Sequence, residues 1–176
     1  DVTKIYSITG NIEPGESLVR TRPFRVAHHT TSRIGLIGGG SNPHPGEISL
    51  AHRGILFLDE FPEFSRSTLE ALRQPLEDGK VTITRAAGSI TFPAQFMLVA
   101  AANPCPCGYG KEKGCSCSDN DIAWHRKKIS GPIIDRIDLW VSVSKVEYEK
   151  LSVGLVNEKS EVIRKRVLAG RKLQRK

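Results

Sequence analysis

Aromatic and sulfur side chains are scarce in this sequence. Of 176 residues, six are Phe, three Tyr, two Trp, one Met and four Cys. Long apolar runs are missing too. The longest, Phe96 to Ala102, covers seven residues, against the ~18–20 that a membrane-spanning helix needs. No basic-then-apolar leader follows Asp1-Val2-Thr3-Lys4, so no secretion signal is read and the expected location is the cytoplasm, with no membrane partner. The four cysteines, Cys105, Cys107, Cys115 and Cys117, fall within thirteen residues. A secreted disulfide framework would spread them through the chain, so a metal cluster or a loop staple is the more natural expectation. Also absent is G-x-x-x-x-G-K-[ST], the loop whose amides and lysine hold nucleotide phosphates. Gly35-Leu36-Ile37-Gly38-Gly39-Gly40-Ser41 is rich in glycine but has no lysine before its serine, and it is not read as that loop.

What is present suits a packed globular core: 39% hydrophobic and 26% charged residues argue against wholesale disorder. The length allows one domain, or one and part of a second. The net charge of +7 is concentrated. From Glu158 to Lys176, eight Lys/Arg face two acids, which accounts for +6 of it. A basic balance raises nucleic acid as a partner, but here that signal belongs to a tail.

Breakers and periodicity set the expected elements. Residues 1–22 read as a helix end followed by a loop, Phe24-Arg25-Val26 as a short strand, and breaker-rich 35–46 as a loop. Glu47 to His52 reads as a short helix. Ile55-Leu56-Phe57-Leu58 is a continuous apolar run, the pattern of a strand buried on both faces. Ser65 or Ser67 can cap a following helix bearing Leu69, Leu72 and Leu76, ended by Gly79, with Pro75 making its last turn irregular. Val81–Thr84 and Ser89–Phe92 alternate polar and apolar around Ala86-Ala87-Gly88, a hairpin with one wet face. Phe96 to Ala102 is a second buried strand, Asp121 to Ile129 a short polar helix, Arg136 to Val143 a third strand and Glu158 onward a basic helix. Strands alternating with helices predict an α/β fold.

Three features carry chemistry. The first is Asp59-Glu60 directly after an apolar strand: such a strand can deliver one acid to Mg²⁺ beside nucleotide phosphates and a second that deprotonates the attacking water. Two solvated loop acids are the plain alternative. The second is Asn103 at the tip of the other apolar strand, able to reach a γ-phosphate or to position the water; its plain reading is a turn, since Asn-Pro is a common turn dipeptide. The third is Arg136, a candidate finger for developing phosphoryl charge, or else a surface partner of Asp135 or Asp138.

In this order the segments GILFLDEFPEF, LEALRQPLEDG, the hairpin, FMLVAAANPCPCG and ISGPIIDRIDL resemble the magnesium-chelatase-like AAA+ ATPases of the ComM/YifB type, as do RPFRVAHHT and GEISLAHRG. The likeness runs over nearly the whole chain. It implies an incomplete P-loop NTPase (AAA+) sheet with flanking helices, a β-hairpin before sensor 1 at 81–92, and the start of a helical lid. The implied domains are an ATPase core over 1–146, without the P-loop strand, and a linker plus first lid helix over 147–176. Asp59 and Glu60 would be the Walker B acids, Asn103 sensor 1, and Arg136 the finger offered to a neighbouring subunit. The implied cofactors are ATP and Mg²⁺, and the implied assembly a ring, a hexamer, working on DNA. In the family the P-loop precedes the position of residue 1, and the sheet order 5-1-4-3-2 places its strand at the centre. The segment 136–143, as strand 5, is then expected to pair with strand 4, leave a gap, or be displaced. A magnesium-chelatase subunit driving metal insertion, and a catalytically inert binding or scaffold fragment, stand as alternatives.

Weaker features complete the reading. Cys105-x-Cys107 and Cys115-x-Cys117, with Gly108, Gly110 and Gly114 letting the loop fold back, offer four thiolates for a structural Zn²⁺; free thiols and a disulfide are the alternatives, and His125 is a substitute ligand. His28, His29 and His44 are expected as loop and packing residues near the nucleotide edge. Trp124 and Trp140 are expected as partly buried anchors. Arg85, beside the hairpin tip, is the candidate DNA backbone contact, with a solvated turn residue as the plain reading. Ile163, Val167 and Leu168 form the apolar stripe of the basic helix.

Overall fold

The computed structural model describes residues 1–12, 14–86, 88–110, 114–143 and 158–175. Two compact units are present, residues 1–138 and 139–176; the expected boundary at 146/147 lies outside the described residues.

The first unit begins with α1 (Val2–Ile8), then β1 (Phe24–Ala27). The stretch 35–46, expected as loop, is partly ordered. Ser32 caps α2 (Arg33–Ile37) by accepting from the Gly35 amide, and β2 (Gly38–Gly39) pairs with β3 (His44–Pro45). Glycine permits this rather than preventing it: a Cβ on Gly38 would lie 2.3 Å from the His44 carbonyl. Next come α3 (Glu47–Leu50) and β4 (Ile55–Leu58). A 3-10 turn over Phe61–Glu63 leads to α4 (Arg66–Glu70), capped by Ser65, and α5 (Arg73–Asp78), closed by Gly79 at φ 64. The hairpin is β5 (Lys80–Arg85) and β6 (Gly88–Pro93), followed by β7 (Met97–Ala100). Then α6 (Asp119–Lys127) carries a Ser118/Asp121 capping box, and α7 (Gly131–Ile134) ends the regular structure of this unit. The second unit contains α8 (Ser160–Gln174), whose side chains are exposed along its whole length, the stripe at Ile163, Val167 and Leu168 included.

Three strands form a parallel sheet in the order β1-β4-β7. Leu56 pairs with Arg25 and Leu98, and Leu58 with Ala27 and Ala100. Close approach at the start of β4 needs glycine, since a Cβ on Gly54 would stand 2.0 Å from the Pro23 carbonyl that accepts the Ile55 amide. One sheet face is dry. Leu56 and Leu58 are fully buried against Leu36, Ile48, Phe61, Leu69 and Leu72, and the hairpin adds Val81, Ile83 and Phe92. The hairpin's other face is wet, as expected, with Thr82–Thr91 and Ser89–Thr84 hydroxyl pairs at 3.0 Å.

The expectation of a strand buried on both faces is corrected. Ile55 and Phe57 point away from the core, onto a face where Phe24, Val26 and Met97 are 61%, 57% and 57% exposed. No described element covers it. The third expected strand, Arg136–Val143, is also absent: residues 135–136 form a turn and 137–143 have no ladder partner. An extended segment becomes a strand only when its amides and carbonyls find a neighbouring ladder, and Leu139, Val141 and Val143 are more than four-fifths exposed. Trp124 and Trp140, 74% and 61% exposed, are surface residues rather than anchors. No described helix is long and apolar enough to cross a membrane.

His52 ties the loop after α3 to the entry of β7. It is buried, and its Nδ1 accepts the Gln95 amide at 3.1 Å. Burial, reinforced by the Arg53 charge, lowers its pKa. The unfolded chain therefore takes up the proton first as pH drops through about 6.5. The His52 contribution is fully present above that value and is lost as pH falls toward the lowered folded value. The melting temperature should decline from pH 7 to 5, with a shallower slope in His52→Gln. Equal slopes for the two proteins would refute the assignment.

Candidate functional site

All three parallel strands end on one sheet edge, the carboxyl edge where open α/β sheets hold ligands. β4 delivers Asp59 and Glu60 there, β7 runs on to Asn103, and β1 runs on to His28-His29. Backbone bonds lock the central tips together: Ala101 donates to the Leu58 carbonyl and Phe61 to that of Ala101, both at 2.9 Å. Asp59 is exposed, and its Oδ1 accepts the Glu60 amide at 2.9 Å. Glu60 takes the left-handed conformation (φ 51, ψ 45) that opens the 3-10 turn. The sheet edge thus gathers Asp59, Glu60 and Asn103.

One partner was not anticipated. His29 Nδ1 lies 2.7 Å from Glu60 Oε2, at ion-pair distance but off the hydrogen-bond line. The register explains it. Ala27 pairs with Leu58, so two residues further on, His29 stands level with Glu60. His28, His29 and Glu60 offer atoms within 4.8 Å of one another, while His44 lies in β3.

Glu63, one turn beyond Glu60, ties α6 to this edge. Lys128 Nζ donates to both carboxylate oxygens at 2.8–2.9 Å. That contact lowers the Glu63 pKa. His125, 4% exposed, contributes from α6: its Nε2 is 3.0 Å from the Asn103 carbonyl. Because a carbonyl only accepts, Nε2 carries the proton. Asn103 is thus held through its main chain, leaving the exposed side chain at the strand tip.

Arg136 is engaged elsewhere. Its guanidinium donates to the Pro132 carbonyl at 2.6 Å and pairs with Glu77 of α5, rather than with Asp135 or Asp138. Arg85 closes β5 opposite Gly88 and shares a cleft of ≈ 340 Å³ with Arg33, on the hairpin rather than the strand-tip edge.

The cysteines converge. Cys105 Sγ lies 3.3 Å from Cys107 and 3.9 Å from Cys115, Cys107 Sγ lies 3.6 Å from Cys115, and the four sulfurs lie within 4.8 Å of one another, all as free thiols. Cys105 is buried and accepts the Gly110 amide at 3.1 Å. The Tyr109 amide, then the Cys105 thiol and the Ser116 amide, bring the Cys107 pKa down to about 6.

Comparison with known proteins places the chain in a family. The family model described as "Magnesium chelatase, subunit ChlI" matches residues 1–151. YifB of Escherichia coli (strain K12) is 44% identical over 165 residues, covering 93% of this chain and 33% of YifB. Competence protein ComM of Haemophilus influenzae is 47% identical over 156 residues, 88% of this chain and 31% of ComM. A shorter match, 30% over 95 residues, reaches the maternal DNA replication licensing factor mcm6 of Xenopus tropicalis, with 54% of this chain and 11% of that protein covered. The chain spans about a third of the length of YifB and ComM. With its parallel α/β sheet and acidic strand tip, the chain belongs to the magnesium chelatase subunit ChlI family, as a magnesium-chelatase-like protein of the ComM/YifB type.

Proposed function

We propose that this chain supplies the magnesium-binding and water-activating side of an ATP-hydrolysing site in an AAA+-type motor. The observation that carries the reading is Asp59-Glu60 at the tip of the central strand, with Asn103 on the neighbouring tip. The donor set fits the ion: Asp59 offers an exposed hard carboxylate oxygen, the ligand type Mg²⁺ takes. Bound there with ATP, Mg²⁺ would neutralise charge on the phosphates. Glu60 takes the proton of the attacking water, and Asn103 orients that water or a phosphate oxygen. In this reading the G-x-x-x-x-G-K-[ST] loop, which these 176 residues do not contain, lies elsewhere in the protein.

The remaining parts of the proposal rest on similarity. The protein works in the cytoplasm as a ring, a hexamer, in which Arg136 leaves Glu77 and Pro132 to reach the neighbouring subunit's nucleotide. The 81–92 hairpin precedes sensor 1, and α8 is the first helix of the lid. DNA remodelling or branch migration is the proposed output, supported by similarity to ComM, a competence protein, and mcm6, a DNA replication licensing factor. Arg85 is the candidate contact to the DNA backbone. The family description favours a second reading, a subunit driving metal insertion.

The test is ATP turnover by the whole protein, with and without DNA and with Mg²⁺ withdrawn by a chelator. Phosphate release that needs Mg²⁺ and rises with DNA is expected, the DNA effect weakening steeply as salt is raised. Turnover that ignores DNA would favour metal insertion. No Mg²⁺-dependent turnover would overturn both readings.

A further inference from the structure

We propose that Cys105, Cys107, Cys115 and Cys117 bind one Zn²⁺ as a closed four-thiolate site that pins the strand tip carrying Asn103. The distances exclude one of the chemistries open to four neighbouring cysteines and suit another. A disulfide needs sulfurs at about 2.05 Å, and the Cys105–Cys107 pair stands at 3.3 Å. A tetrahedral zinc with Zn–S bonds of about 2.3 Å sets its sulfurs about 3.8 Å apart. The measured separations of 3.3, 3.6 and 3.9 Å bracket that edge length.

The loop is shaped around the sulfurs. Gly108, Gly110 and Gly114 have φ of 85°, 64° and 103°, left-handed values that turn the chain back and that glycine takes without a Cβ penalty. The Gly110 amide points at the buried Cys105 sulfur, which asks that sulfur to accept, as a thiolate does. Four uncompensated thiolates this close would repel one another; a divalent cation removes that cost. A four-sulfur shell leaves no position for water, so the ion is structural rather than catalytic.

Its place in the fold gives it a task. Asn103 lies two residues before Cys105, and Cys117 is followed at once by Ser118, which caps α6. α6 then returns to Asn103 through the His125 bond to its carbonyl. Zinc would close the cysteine loop between these two anchored ends. The metal site stands whether or not Asn103 serves ATP hydrolysis, so failure of one leaves the other intact.

The test is metal analysis of the chain, produced with zinc in the medium and purified without chelator. About one zinc per chain is expected, released when a mercurial blocks the thiols. Cobalt in place of zinc should give thiolate charge-transfer bands and the intense visible bands of a tetrahedral site. Cys105→Ser should lose the zinc. Should that variant fail to fold, the mercurial release and cobalt spectrum of the unaltered chain still decide the matter. On zinc release, hydrogen exchange should accelerate over residues 103–118 and stay unchanged in the 81–92 hairpin. Zinc well below stoichiometric with four freely titrating thiols, iron in its place, or a cobalt spectrum without tetrahedral bands would each overturn the site; unchanged exchange over 103–118 would overturn its pinning role.

Discussion

Glu60→Gln should cut ATP turnover by the whole protein by about 10²–10⁴-fold, the range a positioned general base supplies, while nucleotide binding stays near its original strength. The substitution keeps the side-chain length and removes only the ability to take a proton. Asp59, the proposed Mg²⁺ ligand, is untouched, so affinity should hold. The local backbone is secured independently of the carboxylate, because Phe61 donates to Ala101 and Glu63 to the Glu60 carbonyl. Steady-state phosphate release together with nucleotide titration separates the two effects. An unchanged turnover would remove Glu60 from the chemistry, whereas parallel loss of binding and turnover would make it a ligand rather than a base.

Leu56→Ala should destabilise the chain by about 2–5 kcal/mol, the cost of emptying a fully buried leucine site. Leu56 is wholly inaccessible and sits in the middle strand, bonded on both sides. Its own strand is held in ladders on both sides and is poorly placed to shift into the void left among Leu36, Ile48, Phe61, Leu69 and Leu72. Val26→Ala, on the uncovered face at 57% exposure, serves as the control and should cost no more than about 0.5 kcal/mol. Denaturant unfolding of both variants measures the difference. Comparable losses would mean that the uncovered face is in fact buried under the assay conditions.

How far the sequence reveals this architecture depends on the element. β4 and the hairpin are legible because local pattern and packing agree: an apolar run ends in two acids, and Val81 and Ile83 alternate with threonines around a glycine turn. The periodicity over 65–79 predicts one helix, but the stretch forms two, with the break at Ala71–Leu72. Pro75 then falls in the first turn of α5, where a missing amide leaves no intrahelical bond unmade. The apolar alternation around Leu139–Val143 misled, because period two reports a half-buried surface only if a ladder partner and a cover exist. Asp59, Glu60 and Asn103 could be picked out as strand ends. The His29–Glu60 contact and the Glu77 pairing of Arg136 could not, since the first depends on strand register and the second on a contact between residues 59 positions apart in sequence.

The left-handed backbone at Glu60 has a consequence for engineering. An L-residue in that conformation costs about 1–2 kcal/mol relative to the right-handed form, and glycine would take it at no such cost. A redesign guided by stability alone would therefore target this carboxylate together with Arg53, the other non-glycine residue at positive φ among those described. Thermal robustness and the proposed proton transfer make opposite demands at this one position, so on that proposal a hardened variant that melts later is the one that no longer turns over.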